Sequence, residues 1–353
     1  MRATYQKVGD WRYCRSAEYN WNFNLKTGFF ARWGRTFEED PNTAPCCEIL
    51  DIEVSTICNN GCDACYKSNT GSGRNMSLET FSRILKSMPM NLTQIALGIG
   101  DIDANPDLYA MMAFAREIGV VPNITINGRN ISEQHYNQLS RLCGAVAVSH
   151  YNDGCFDAVQ ELTTRGLDQV NIHQILSKET TQECFDLINR AANDPRLAKL
   201  NAIVFLLLKP KGKRNALTPV TDNTVYRDLL LLANEKGIGI GMDSCGAPSL
   251  MKSCENIPKI RDVIRVCAEP CESTCFSIYV SVDGEVYPCS FCEGTPGWET
   301  GIAIKESMVD VWNNDRIVAW RNNLINSTKD CICDFKQGCR SCPVFDITPC
   351  RSH

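Results

Sequence analysis

Between residues 48 and 242 short apolar runs alternate with amphipathic segments of about ten residues, and this alternation constrains the fold more than any other feature of the chain. Residues 48–55 read as a strand, followed by a loop rich in Cys, Gly and Asn. Ser77 then suits a helix N-cap, with Glu79 in the first turn of a helix reaching about residue 87. Strands are expected at 93–98, 123–126, 145–149, 169–176, 202–208 and 238–242. Helices are expected between them at 106–118, 132–142, 156–165, 181–192 and 222–236. Strands separated by helices imply βαβ units and a parallel sheet. The expected fold is therefore α/β, a partial (β/α)6 parallel barrel over residues 48–245, with its reactive loops at the carboxyl ends of the strands.

The flanks differ in character. Residues 1–47 hold many aromatics, among them Trp11, Tyr13, Tyr19, Trp21, Phe23, Phe29, Phe30 and Trp33, but show no clear periodicity. That is too much apolar surface for a disordered tail, so an extended cap packed on the main domain is expected. After about Asp243 the alternation stops, and ten of the 21 cysteines fall between Cys267 and Cys350. Residues 277–287 read as a β-hairpin with a primed turn at Asp283-Gly284. Residues 246–353 are expected to form a small Cys-rich α+β domain stapled by metal, because little core is otherwise available to it.

Composition narrows the function. A net charge of −5 provides no broad basic surface, so a nucleic-acid partner is not favoured. The start of the chain lacks a signal-peptide apolar region, and no apolar run approaches the roughly 18 residues of a membrane span. A cytoplasmic protein with no membrane partner is expected, and there clustered thiols serve metals rather than disulfides.

The thiols of the first loop, Cys58-Asn-Asn-Gly-Cys62-Asp-Ala-Cys65, form a C-x3-C-x2-C run. Three thiolates hold three irons of a cubane and leave the fourth iron open to a small molecule. A zinc or structural-cluster site completed by a distant cysteine is the alternative. In the C-terminal region, too, zinc suits paired thiolates as well as iron–sulfur clusters do.

This loop, placed after the first strand, resembles the signature of the radical S-adenosylmethionine (SAM) superfamily. The resemblance implies a [4Fe–4S] cluster on Cys58, Cys62 and Cys65 whose open iron binds the amino and carboxylate groups of SAM. Reductive cleavage then yields methionine and a 5′-deoxyadenosyl radical that abstracts hydrogen from substrate. The segment from Gly98 to Leu108 resembles the family's Gly-Gly-Glu-Pro stretch, with Gly100-Asp101 at the Gly-Glu positions. Ile99, Asp101 and Ile102 depart from that pattern, and the shorter aspartate must bring the backbone closer to an ammonium. Asn127 and Ser149 match the ribose- and methionine-contacting positions. Ala64 stands where an aromatic is usual, with Tyr66 following as the candidate adenine contact.

The C-terminal block resembles the twitch/SPASM auxiliary-cluster domain. Gly284 to Cys289 gives its Gly-x4-Cys element, and Cys331, Cys333, Cys339, Cys342 and Cys350 give the later run, with two spacings one residue short. The resemblance implies two auxiliary [4Fe–4S] clusters, one on Cys271, Cys275, Cys289 and Cys342, the other on Cys331, Cys333, Cys339 and Cys350. Cys267 and Cys292 are spare, and either could displace one of these ligands.

Near the end of the last barrel strand, Cys245 is a candidate hydrogen-atom donor and Asp243 a candidate base. Cys245 also has a plainer reading, a small buried thiol. His150 and His173 are expected to be structural histidines more than functional ones. Relatives of the auxiliary domain often act on ribosomal peptides, so a peptide or protein substrate altered by epimerisation, cross-linking or oxidation is expected. A sugar, nucleoside or amino acid is the other substrate class. A flavodoxin or ferredoxin would supply the electron, and a separate leader-peptide-binding protein could present the peptide.

Overall fold

A computed structural model describes residues 3–333, 335 and 339–347. Its first element is a four-stranded antiparallel meander, β1 (Thr4–Val8), β2 (Trp11–Arg15), β3 (Asn20–Asn24) and β4 (Phe30–Trp33). Residues 1–47 were expected to be an extended cap, and the sheet is the finding that replaces it. Gly9 at φ +58° allows the tight Gly9-Asp10 connection, and Trp21 and Phe23 are fully buried. Asparagines at alternate positions of β3 hid the strand pattern.

The meander closes the amino end of the barrel. Arg12, buried, donates to the carbonyls of Met90 (2.6 Å), Leu92 (2.8 Å) and Gly119 (2.7 Å), each just before a barrel strand. Trp21 Nε1 donates to Asn91 Oδ1 (2.9 Å). Tyr19 and Arg32 (2.9 Å) both bond the buried carboxylate of Glu48 at the foot of the first barrel strand.

Seven parallel strands follow, β5 (Ile49–Glu53), β6 (Gln94–Gly98), β7 (Val121–Ile126), β8 (Ala145–Ser149), β9 (Gln169–Leu176), β10 (Ala202–Leu207) and β11 (Ile240–Met242), adjacent in sequence order. The helices between them are α1 (Leu78–Lys86), α2 (Leu108–Glu117), α3 (Glu133–Leu142), α4 (Gly154–Thr164), α5 (Thr181–Ala191) and α6 (Thr224–Lys236). Ser77 caps α1 as its sequence predicts, accepting from the Thr80 amide at 3.1 Å. Strand burial alternates as a covered sheet demands. Leu50, Ile52, Ile95, Val146, Ile172 and Phe205 are buried beneath the helices, whereas Asp51, Ala96, Thr125, His173 and Val204 line the other, half-exposed face. The mixed α/β fold with a parallel partial barrel is thus the one expected.

Two helices absent from the expected pattern, α7 (Ala247–Cys254) and α8 (Pro258–Cys267), lead out of the barrel. The hairpin β12 (Ser277–Val280) and β13 (Glu285–Tyr287) then joins the main sheet, with β12 parallel to β5 and β14 (Ile302–Ala303) beyond it. Only Gly284 of the turn has positive φ (+80°), and its amide donates to the Ser281 carbonyl at 2.9 Å. The turn is therefore a three-residue loop ending in a left-handed glycine, not the primed turn read from Asp283-Gly284. Helices α9 (Met308–Trp312) and α10 (Asp315–Asn326) complete the described elements.

Candidate active site

The loop between β5 and α1 carries Cys58, Cys62 and Cys65 at the carboxyl end of the barrel, where the sequence places them. The Cys58 amide donates to the Thr70 carbonyl (3.0 Å), the Cys65 amide to the Cys62 carbonyl (3.2 Å) and the Ser68 amide to the Cys65 carbonyl (3.1 Å). The loop after β10 clamps it from outside, with Arg214 Nε on the Cys62 carbonyl (3.4 Å) and the Lys213 amide on Ser68 Oγ (2.7 Å). Gly212, at φ +110°, lies against the Cys65 carbonyl where no side chain fits.

Gly100 shows a second close approach. A Cβ there would stand 2.7 Å from Cys58 Cβ and 2.9 Å from its Sγ, so glycine leaves the room that the thiol occupies. The Gly100 carbonyl accepts from Asn60 Nδ2 and Asn127 Nδ2, both at 3.3 Å, and Asn60 also reaches Cys58 Sγ at 3.4 Å. The structure thus gathers Cys58, Gly100 and Asn127 of the sequence reading and adds Asn60, which the loop motif itself contains. Asp101 is adjacent, its Oδ1 accepting from the Asp103 amide (3.2 Å), and Ser149 ends β8 half-buried. Three thiols on one loop, with Gly100 leaving room for the Cys58 side chain, are a donor set suited to a cubane with a free iron.

Tyr66 is placed otherwise than expected. Its ring stacks on Phe291 of the C-terminal domain, centroids 4.3 Å apart, with its phenol beside Ser290. It joins the two domains instead of standing free for a nucleoside. Tyr151, two residues past β8, lies instead against Cys62 and Cys65, with the Arg129 guanidinium 4.9 Å over its ring. A tyrosine just beyond a barrel strand end was the available signal, and sequence reasoning passed over it.

The half-exposed face of the barrel is polar. Asp51 has no hydrogen-bond or ion-pair partner among the described residues, and burial pushes its carboxyl up to about 6. Burial pulls His173 down to about 4, so its imidazole is neutral near pH 7. Glu53 and Glu293 both pair with Lys67, and Tyr279 donates to Glu53 Oε2 at 3.0 Å.

Asp243 accepts from the amides of Leu207 (3.1 Å) and Gly246 (3.0 Å) and pairs with Lys209. A carboxylate so occupied fixes the turn and the lysine. Burial opposes the Lys209 ammonium, but Asp243 and the nearby Cys245 more than offset this and raise its pKa. Cys245 lies beside Lys209 and Asp243, with Cys271 and Cys342 also among its neighbours. His150 Nδ1 lies 2.7 Å from Gln174 Oε1 and 3.3 Å from Glu183 Oε1, and its ring stacks on Phe156.

In the C-terminal domain Cys271, Cys289 and Cys342 are mutual neighbours, and Cys292 Sγ lies 3.4 Å from Cys289 Sγ. Cys275 is fully buried in a cluster with Cys14, Trp21, Phe23 and Leu324, against which Cys271 also packs. The structure therefore brings spare Cys292 to this group and sets Cys275 in the core beneath the meander. Cys333 and Cys339 both pack against the cluster that holds Phe335, while Cys350 lies outside the described residues. Among the described residues no three His, Cys, Asp or Glu side chains converge on a single-ion site. A cubane spreads its thiolates over several irons and asks for wider spacing than one zinc ion.

Among the described residues no helix is long and apolar enough to cross a membrane. Residues 52–193 match the radical SAM superfamily, and residues 271–343 match the iron–sulfur cluster-binding domain SPASM. In three dimensions the chain is similar to Streptococcus suis SuiB, with a TM-score of 0.71 and 11% identity over 96% of this chain and 95% of that one. SuiB bound to precursor peptide SuiA gives 0.69 and 15% over 86% and 73%, respectively. Native anSMEcpe with bound AdoMet and Cp18Cys peptide gives 0.59 and 16% over 82% and 87%. At these identities the likeness is one of fold. No curated protein matches the chain by sequence.

Proposed function

Because the chain belongs to the radical SAM superfamily and carries a SPASM iron–sulfur domain, we propose that it modifies a peptide by epimerisation, cross-linking or oxidation. It is a radical SAM enzyme, and its two domains imply a SAM-binding [4Fe–4S] cluster and auxiliary iron–sulfur clusters. Cys58, Cys62 and Cys65 would hold the first of these, with Gly100 leaving room for the Cys58 side chain. A cluster bound there would supply the electron that splits SAM into methionine and a 5′-deoxyadenosyl radical.

The chain's own residues position and shield. Asn60 and Asn127 fix the Gly100 carbonyl, so the strand end presents Asp101 to the SAM ammonium. Tyr151, backed by Arg129, makes a flat wall for the nucleoside, and Ser149 offers a hydroxyl beside it. Asp51 and neutral His173 orient polar groups of the substrate within the barrel. Cys245 stands as the hydrogen-atom donor if the outcome is epimerisation. Cys271, Cys289, Cys292 and Cys342 hold one auxiliary cluster, and Cys331, Cys333 and Cys339 hold a second together with Cys350. A flavodoxin or ferredoxin delivers the first electron, and a separate leader-binding protein presents the peptide.

What supports a peptide substrate is the likeness, over 86% of this chain, to an enzyme solved with its precursor peptide. The test is anaerobic incubation of reconstituted protein with SAM, reductant and short peptides encoded beside its gene, read by mass spectrometry. The expected result is 5′-deoxyadenosine together with a peptide mass change. 5′-Deoxyadenosine formed with a metabolite pool but never with peptides would move the assignment to a small molecule.

A further inference from the structure

Two metal-binding segments far apart in sequence meet through aromatic rings. Tyr66 follows Cys65 directly, and Phe291 lies between Cys289 and Cys292. Their rings stack with centroids 4.3 Å apart and planes 29° from parallel. Phe345, three residues after Cys342, meets the edge of Phe291 at 6.0 Å. The contact is held from several sides. Lys211 donates to the carbonyls of Phe291 (2.9 Å) and Glu293 (2.6 Å), and neighbouring Gly212 abuts the Cys65 carbonyl. The Lys209 ammonium lies 5.2 Å above the Phe291 ring, and the Tyr66 phenol bonds Ser290.

We propose that the Tyr66–Phe291 stack is the electronic contact between the SAM-binding cluster and the first auxiliary cluster. This rests on the ligand assignments and on the oxidative branch of the function proposed above. In that branch the substrate radical gives one electron to the auxiliary cluster and a proton to solvent as its new bond forms. The stack then passes that electron on. The auxiliary cluster is oxidised by one electron and the SAM-binding cluster is reduced by one. Neither ring gains or loses an atom or a proton. The enzyme is thereby readied for a further round without a new external electron.

The contact can be read without any substrate. Full-length reconstituted protein is reduced by a flash-generated deazaflavin radical, and rapid freeze-quench EPR follows which cluster holds the electron. Wild type should show a fast exchange phase, retained in Tyr66→Phe and Phe291→Tyr, which keep the rings. Phe291→Leu and Tyr66→Leu should lose that phase while keeping full iron and sulfide. A fast phase unchanged in either leucine variant with full iron overturns the proposal, as does a wild type that lacks one. If one leucine variant fails to load iron, the other reads the same contact from its opposite side. Peptide turnover is not part of this measurement, so a wrong substrate class would leave its outcome intact.

Discussion

The two thiol groups are built in opposite ways. Cys58, Cys62 and Cys65 sit on one short loop whose backbone is tied to itself and clamped by the loop after β10. Cys271, Cys289, Cys292 and Cys342 come from segments that meet only once the hairpin, α10 and the chain beyond it have packed. A local site depends on few residues outside its loop, so its spacing survives as a motif. A distributed site depends on tertiary packing, and spacing alone does not choose its members.

The largest effect expected is from Cys58→Ala. It should abolish 5′-deoxyadenosine formation and remove about four irons per chain, leaving the auxiliary clusters in place. Unchanged iron would break the picture of a self-sufficient loop. Gly100→Ala comes next. Its Cβ would meet Cys58 at 2.7 Å, an overpacking of roughly 1–3 kcal/mol that should deplete the same cluster without unfolding the barrel. Iron content with far-UV circular dichroism checks both halves of that expectation.

The distributed site is sharpened by a paired comparison. Cys292→Ala should lower auxiliary iron and alter its EPR signal, whereas Cys275→Ala should keep the iron and cost about 1 kcal/mol of stability in the core under the meander. The reverse pattern would restore Cys275 as a ligand. The smallest effect concerns the seam between the meander and β5. Burial raises the Glu48 carboxyl to about 7 from an ordinary 4.5, so the folded protein holds that proton more tightly than the unfolded chain. Its contribution is full below pH 4.5 and is lost as pH rises through 7. Glu48→Gln should therefore flatten the fall in urea midpoint across that window.

What could be read beforehand follows the same division. The β5 to β11 series, the Ser77 cap and the cysteine loop lay open because each depends on residues close in sequence. The meander was hidden because its strands, such as Asn20–Asn24, bury asparagines that bond loops rather than following a simple apolar alternation. Tyr66 misled for a related reason. Adjacency to Cys65 suggested a cofactor contact, but a partner 225 positions away decides where its ring goes. That two backbone amides and Lys209 occupy Asp243, the candidate base, is something no sequence pattern reveals.

The parallel pairing of β12 with β5 makes the two halves of the chain inseparable at the level of the sheet. Severing the polypeptide after residue 245 would bare the hydrogen-bonding groups along the very strand that leads into the cysteine loop. Such a fragment would be sticky and prone to self-association. Grafting a foreign C-terminal module onto this barrel would succeed only if the graft brought its own strand to seal that side.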